Sequence, residues 1–183
     1  MNPVPQTPEI RIPHCSKGIG DVILQKDSPS LIQGVVVDPL DVWPDDRGYF
    51  LEVGRFGVGA LAGFPAASTQ ISSALSYAGT IKAFHFHRRQ TDVWVPMAGM
   101  FQVVLVDLRL GSPTEGARNT LYVGNLRPWR IVVPPGVGHG YKVVGKEPGV
   151  LVYVTDRFYD REDEGRIAYD DPNINYDWET QHK

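Results

Sequence analysis

Three histidines with short, regular spacings are the residues of this chain best suited to chemistry. His85 and His87 lie two positions apart in an alternating apolar run, the pattern of a strand whose successive side chains point to opposite faces. His139 follows a Pro-Pro-Gly turn, so all three imidazoles could face one interior. An imidazole titrates near neutral pH and can therefore take a proton from carbon without a metal or cofactor. A purely structural role, with a buried ring paired to a neighbouring carbonyl, is the alternative for each.

Short β-rich runs, separated by glycine and proline, must position these side chains. Helical periodicity is scarce, and only residues 56–61 and 160–164 are candidates for short helical turns. The predicted strands cover residues 31–37, 48–53, 69–76, 80–87, 92–96, 100–108, 119–123, 129–133, 138–144 and 150–156. Their number and spacing predict an all-β antiparallel barrel or jelly roll with short peripheral helices.

Composition places the chain among soluble single-domain proteins. Its 183 residues are 42% hydrophobic, enough for one sizeable core, and we expect residues 31–183 to form that domain. Residues 1–30 are expected to form an irregular arm that packs on a partner subunit. The 18 basic and 21 acidic side chains give a net charge of −3, which argues against nucleic-acid or membrane partners. The single Cys15, with no visible signal peptide or membrane-length apolar run, indicates a cytoplasmic protein.

Two segments resemble the paired motifs of metal-binding cupins. Residues 85–99 follow the spacing H-x-H-xxxx-D-xxxxxx-G, and residues 134–139 follow P-x-G-x-x-H. In cupins these segments lie on adjacent strands of a small barrel and point inward. The resemblance implies that one divalent ion, such as Fe(II), Mn(II), Ni(II) or Zn(II), is bound by His85, His87, Asp92 and His139. One hypothesis is therefore a metal-dependent cupin enzyme.

A longer resemblance runs from about residue 30 to residue 178. The chain contains, in order, DDRGYFLE at 45–52, QISS at 70–73, VDLRLGSPT at 106–114, VPPGVGHGY at 133–141 and DDP at 170–172. This set, with Tyr153, Tyr159 and Trp178, resembles the dTDP-4-dehydrorhamnose 3,5-epimerase family. That family's catalytic histidine likewise follows the glutamine by 15 residues, as His85 follows Gln70. The resemblance implies a cupin-type β-barrel that pairs into a homodimer by strand exchange.

The resemblance also implies a reaction. C–H bonds beside the ketone of a 4-keto sugar are acidic, since the carbanion delocalises into the carbonyl as an enolate. His85 would remove this proton and Tyr153 would return one from the opposite face, since a phenol is protonated at neutral pH. C3, C5 or both carbons of a dTDP-4-keto-6-deoxyhexose would be inverted without a cofactor. The residues expected to bind this substrate are Arg47, Phe50, Glu52, Gln70, Lys82, His139, Tyr159 and Glu164. Within this set Arg47 suits the diphosphate and Tyr159 suits the thymine ring.

Several positions depart from the family pattern. Residues 82–87 read KAFHFH where the family has R-G-L-H-F-Q, so Lys82 lacks the bidentate fork of an arginine and His87 replaces a glutamine. Asp92 stands where the family carries a lysine that stabilises the enolate oxygen. The family's S-x-K-D segment, whose aspartate orients the catalytic histidine, is not found after Trp178. Asp92 is the candidate substitute for that aspartate.

Three functional hypotheses follow. The epimerase hypothesis needs His85 as a free base. In the four-ligand metal site His85 is bound to the ion and cannot act as a base, so these two hypotheses exclude each other. A non-catalytic protein that binds a nucleotide sugar is the third, although the presence of both His85 and Tyr153 favours an enzyme. Asp107 and Arg109 are expected to be structural, as a salt bridge or turn anchor.

Overall fold

Two β-sheets packed face to face form the body of the chain in a computed structural model, which describes residues 7–180. The strands, numbered along the chain, are β1 (Asp21–Val22), β2 (Val36–Pro39), β3 (Val42–Asp45), β4 (Gly48–Leu51), β5 (Gln70–Ser76), β6 (Ile81–His87), β7 (Asp92–Ala98), β8 (Met100–Asp107), β9 (Arg118–Gly124), β10 (Trp129–Val133), β11 (Val137–Val144), β12 (Gly149–Thr155) and β13 (Glu164–Arg166). The helical content of the described residues is one 3-10 turn at Gly59–Leu61.

The sheets are almost entirely antiparallel. One sheet has the order β1-β9-β8-β11-β6-β13, and the other has the order β2-β10-β7-β12-β5. Strands β3 and β4 form a separate hairpin. The parallel pair of β1 and β9 spans two residues of each strand. The predicted all-β, cupin-like fold is confirmed.

The alternation of side chains along β6 decides which residues reach the space between the sheets. Phe84 and Phe86 point outward and pack against the C-terminal segment, in a cluster with Tyr176 and Trp178. His85 and His87, on the opposite face of the same strand, line the interior. The two-residue period of a strand therefore delivers both imidazoles to one side.

Both faces of β8 are buried, which explains its nearly continuous apolar sequence. Val103 and Leu105 join the core between the two sheets, while Val104 and Val106 join the cluster under the C-terminal segment. Burying one large apolar side chain stabilises the fold by roughly 1.5–3 kcal/mol. The buried side chains of β8 therefore hold this strand in the centre of its sheet. Strand β11 pairs with β8 over its whole length, and this pairing fixes His139 opposite Leu105.

A buried carboxylate closes the turn after β8. Asp107 accepts hydrogen bonds from the Arg109 Nε at 2.8 Å, from the Ser112 hydroxyl at 2.6 Å and from the Thr114 hydroxyl at 2.6 Å. The structural role expected for Asp107 and Arg109 is confirmed. The network anchors residues 107–114 against the end of the sheet.

Some local predictions were wrong. The candidate helical turn at residues 160–164 is a single hydrogen-bonded turn and not a helix, and it leads directly into β13. Strands β1, β3 and β13 are two to four residues long and were not predicted, since such short strands carry no measurable periodicity. The predicted strand at 31–37 begins only at Val36.

In the described part of the N-terminal segment, Ile10 bridges to Arg109 and β1 adds to β9 of the same chain. Within residues 7–180, no helix has the length and apolar character to cross a membrane.

Candidate active site

A cavity of about 370 Å³ lies between the two sheets. Strands β6 and β11 contribute to it from one sheet, and β5, β7 and β12 contribute from the other. The polar and aromatic side chains that line it are Gln70, Lys82, His85, His87, Gln90, Asp92, Trp94, His139, Tyr141, Tyr153, Thr155, Tyr159, Glu164 and Arg166.

His85 faces a carboxylate on the neighbouring strand. Its Nδ1 lies 4.0 Å from the Glu164 Oε2, and the other oxygen of Glu164 accepts a hydrogen bond from Arg166. Burial is the main cause that lowers the pKa of His85 below its ordinary value, helped by nearby His139 and opposed by Glu164. His85 is therefore neutral at pH 7, the form in which an imidazole accepts a proton.

The carboxylate partner of His85 differs from the one that the sequence suggested. Asp92 was the candidate substitute for the family's orienting aspartate, and this prediction was wrong. Asp92 Oδ2 instead lies 3.4 Å from His139 Nε2 and 3.8 Å from His87 Nε2. Glu164, predicted as a substrate ligand, is the carboxylate beside His85.

Asp92, His87 and His139 form a buried cluster on the cavity wall. The exposed fraction of each side chain is 8% or less. Burial alone would raise the pKa of Asp92, but the hydrogen bond and charge of His139, with smaller effects of His87 and Gln90, hold it below its ordinary value. Burial lowers the pKa of His87, although the charge of Asp92 acts in the opposite direction. The cluster therefore presents an ionised carboxylate beside a neutral His87 ring.

Tyr153 reaches the cavity from the sheet opposite His85. It lies on β12, between Ser72 of β5 and Trp94 of β7, and packs against the main core. Gln70 and Tyr159 lie nearby on the same side, and the Tyr159 backbone N–H donates to the Gln70 side-chain oxygen at 3.2 Å. The Tyr159 ring is 57% exposed. The structure thus brings together His85, Tyr153, Gln70, Lys82, His139, Tyr159 and Glu164 around one cavity.

Arg47, Phe50 and Glu52 do not line this cavity. They belong to the β3–β4 hairpin and the residues after it, where Arg47 pairs with Asp45 and Glu52 accepts from Arg55. The neighbouring Tyr49 hydroxyl donates to the Met97 carbonyl at 2.7 Å. Met97 is five residues along β7 from Asp92, roughly 17 Å at the rise of an extended strand. The hairpin therefore lies at the far end of β7 from the buried cluster.

Sequence reasoning missed several residues that line the cavity. Arg166 lies on β13, whose three residues give no pattern from which a strand could be recognised. Trp94 was not among the predicted site residues, yet it lines the cavity and stands edge-on to His139 with ring centroids 5.0 Å apart. Gln90 donates from its side-chain amide to Asp92 at 2.6 Å. Its position two residues before Asp92, at the entrance to β7, was the available indication.

The arrangement defines a class of protein: a cupin-like double β-sheet whose interior carries histidines, carboxylates and a tyrosine around one cavity. A model of the family described as dTDP-4-dehydrorhamnose 3,5-epimerase matches residues 29–183. The chain belongs to this family. It is an epimerase, an enzyme of the isomerase class, and the predicted recognition and activity are confirmed.

Relatives and solved structures agree with this assignment. The spore coat polysaccharide biosynthesis protein SpsL of Bacillus subtilis (strain 168) is 42% identical over 153 residues, covering 82% of this chain and 99% of SpsL. The probable low-salt glycan biosynthesis epimerase Agl13 of Haloferax volcanii is 35% identical, covering 82% of this chain and 96% of Agl13. The dTDP-6-deoxy-D-glucose-3,5-epimerase RmlC of Legionella pneumophila, solved with dTDP-4-keto-L-rhamnose, superposes with a TM-score of 0.69 at 26% identity. That superposition covers 79% of this chain and 78% of RmlC.

Proposed function

We propose that this chain inverts C3, C5 or both carbons of a dTDP-4-keto-6-deoxyhexose, with His85 as base and Tyr153 as acid. The observation that carries the proposal is their placement on facing sheets of one cavity, His85 on β6 and Tyr153 on β12. Inversion needs a proton removed from one face of the sugar ring and returned to the other. Two groups that approach a bound ring from opposite walls meet this requirement.

His85 is suited to the first half of the reaction. Its neutral ring can accept the proton, and the imidazolium that forms then faces the Glu164 carboxylate at 4.0 Å. A carboxylate at this distance stabilises the imidazolium as it forms and keeps the ring oriented. Glu164 is itself held by Arg166, so the pair is positioned before the substrate binds.

The second half of the reaction uses Tyr153. A phenol holds a proton at neutral pH and can give it to an enolate carbon, which is more basic than the phenolate. Its place between Ser72 and Trp94 on the neighbouring strands fixes the direction from which the ring enters the cavity.

The charges and aromatic rings at the cavity suit a nucleotide diphosphate. Lys82 and Arg166 supply two cations for the phosphates, and the exposed Tyr159 ring supplies a stacking face for the thymine base. The names of SpsL and Agl13 refer to polysaccharide and glycan biosynthesis, which supports a role for this chain in making a sugar for such a polymer. We place the chain in the cytoplasm, where nucleotide sugars are made.

A homodimer would bring the remaining predicted substrate residues to the site. Arg47, Phe50 and Glu52 lie on a hairpin away from the cavity of their own chain, and the Phe50 side chain is 65% exposed. Trp43 stacks on Phe50 with ring centroids 5.7 Å apart and is itself 55% exposed. This exposed aromatic pair supports a hairpin that contacts a second copy, where Arg47 can reach a diphosphate bound to that copy.

The proposal is tested by epimerisation of dTDP-4-keto-6-deoxyglucose, followed by NMR, in the variants His85→Ala and Tyr153→Phe. Each should lower turnover by at least about 100-fold, the usual contribution of a general acid or base. His14→Ala and Tyr77→Phe are matched controls, because both side chains are exposed and outside the cavity, and they should keep full activity. Full activity in either cavity variant contradicts the role given to that residue. A wild-type protein that binds the nucleotide sugar without turnover would support the non-catalytic alternative.

A further inference from the structure

We propose that His87, Asp92 and His139 form a binding site for one divalent transition-metal ion. Each of these residues offers one ligand atom, and the three atoms lie within 4.8 Å of one another. They come from three places in the fold: the end of β6, the start of β7 and the middle of β11. The pairing of β6 with β11 holds His87 and His139 close together. His139 lies in register with His85, and His87 follows His85 by two residues on the same face of β6.

The distances suit direct coordination. Asp92 Oδ2 lies 3.4 Å from His139 Nε2 and 3.8 Å from His87 Nε2. Bonds of 2.0–2.1 Å to a tetrahedral ion separate neighbouring ligand atoms by about 3.3 Å. The two contacts of Asp92 are therefore close to this spacing, and all three ligand atoms lie within 4.8 Å of one another.

The residues around the cluster orient it as metal sites are oriented. His139 donates from Nδ1 to the Val137 carbonyl at 3.0 Å, so Nε2 is the ring atom that faces Asp92. Asp92 accepts from the Gln90 amide at 2.6 Å and from the Trp94 indole at 3.3 Å. These bonds fix the ring and the carboxylate before any ion arrives.

A third ring converges on the contact between Asp92 and His139. His87 is 92% buried, and its Nδ1 has no hydrogen-bond partner among residues 7–180. Its other ring nitrogen, Nε2, faces Asp92, and a metal ion can bind all three converging atoms, whereas a proton bridges only two.

The donor set indicates which ions fit. Two imidazoles and one carboxylate form the set that binds Fe(II), Zn(II) and related divalent ions, with further positions left open. All three residues line the cavity, so water or a substrate oxygen can complete the coordination. His85 is outside the cluster and pairs with Glu164 instead. The site and a free base at His85 are therefore compatible, contrary to the exclusion expected for a four-ligand site.

The role of the ion, unlike its binding, rests on the proposed function. An enolate oxygen that develops negative charge close to the ionised Asp92 would be repelled by it. A bound divalent cation would offset this carboxylate and stabilise charge on the keto oxygen. Lys82 and Arg166 at the same cavity remain available for the phosphates.

Metal binding can be tested without substrate. Full-length, untagged protein is treated with a chelator and titrated with Zn²⁺ by calorimetry, and the Co²⁺ complex is followed by its visible absorption. We expect one ion per chain, and a roughly 100-fold or greater weakening in His87→Ala and in the near-isosteric Asp92→Asn. His85→Ala is the matched control, a histidine two residues away that lines the same cavity, and it should bind the ion as the wild type does. Circular dichroism checks that each variant is folded. If His87→Ala is not folded, Asp92→Asn alone serves as the test variant.

Each outcome decides the proposal. Absence of one-to-one binding in the wild type, or equal affinity in His87→Ala and Asp92→Asn, overturns it. A loss of binding in His85→Ala as large as in His87→Ala overturns the three-residue site in favour of a four-ligand one. The proposed epimerisation is judged separately, by turnover of His85→Ala. An enzyme that binds no metal yet epimerises its substrate refutes only the metal site.

Discussion

Replacing Glu164 with glutamine removes the carboxylate beside His85 while keeping the size of the side chain. At 4.0 Å, a carboxylate and an imidazolium attract each other by about 4 kcal/mol at an effective dielectric constant of 20. The His85 side chain is 40% exposed, so solvent screening reduces this to about 1–2 kcal/mol. The imidazolium exists only once the proton has been taken, and the loss therefore falls on the transition state. We expect kcat to drop roughly 5- to 30-fold, with KM little changed.

The assay is steady-state epimerisation of dTDP-4-keto-6-deoxyglucose by the wild type, Glu164→Gln and a control. Glu162→Gln is that control, since it makes the same chemical change two residues away on an exposed side chain. It should keep the kcat of the wild type. If Glu164→Gln changes KM alone, Glu164 binds substrate as the family resemblance implied and does not assist His85. An unchanged kcat and KM would refute both roles.

Two further changes test the framework around the site. Asp107→Asn should lower the free energy of unfolding by about 3–5 kcal/mol at pH 7, measured by urea denaturation, because it leaves Arg109 without its buried partner. Although burial alone would raise it, bonds from Arg109, Ser112 and Thr114 hold the pKa of Asp107 below its ordinary value. The stabilisation is therefore complete above the ordinary pKa of an aspartate, about pH 4, and is lost as the pH falls through the lower folded-state pKa. The unfolding free energies of the wild type and the variant should converge there. A difference between them that persists in acid would contradict this. Gly165→Ala should cost about 1–3 kcal/mol in thermal unfolding and also lower kcat, because the added methyl would collide with the Phe86 ring and displace β13, which carries Glu164. Gly63→Ala, where a methyl meets open space, is its control, and equal effects of the two would count against the packing argument.

The interior of the fold was largely predictable from local pattern. Alternation along residues 81–87 assigned His85 and His87 to one face, and the structure places both on the cavity wall. The turn at residues 134–136 was predicted to lead His139 onto the next strand, and β11 begins at Val137. Gly136 adopts a φ of 79° there, a conformation that glycine tolerates best.

Pairing between distant segments could not be predicted in the same way. Glu164 reaches His85 only because three residues of β13 add to the edge of β6, and no periodicity exists over so short a strand. Asp92 was correctly placed near the histidines, but which ring it contacts depends on how the two sheets face each other. The hairpin with Arg47 carries a clear sequence motif, yet its place at the far end of β7 follows from tertiary packing alone.

Proton abstraction beside the ketone is the central claim, and solvent deuterium incorporation tests it most directly. dTDP-4-keto-6-deoxyglucose is incubated with the protein in D₂O, and the label at C3 and C5 is followed by NMR. We expect the wild type to label the inverted carbon, Tyr153→Phe to exchange without inversion, and His85→Ala to show neither. Bound substrate without exchange in the wild type, or exchange at the wild-type rate in His85→Ala, would contradict the account.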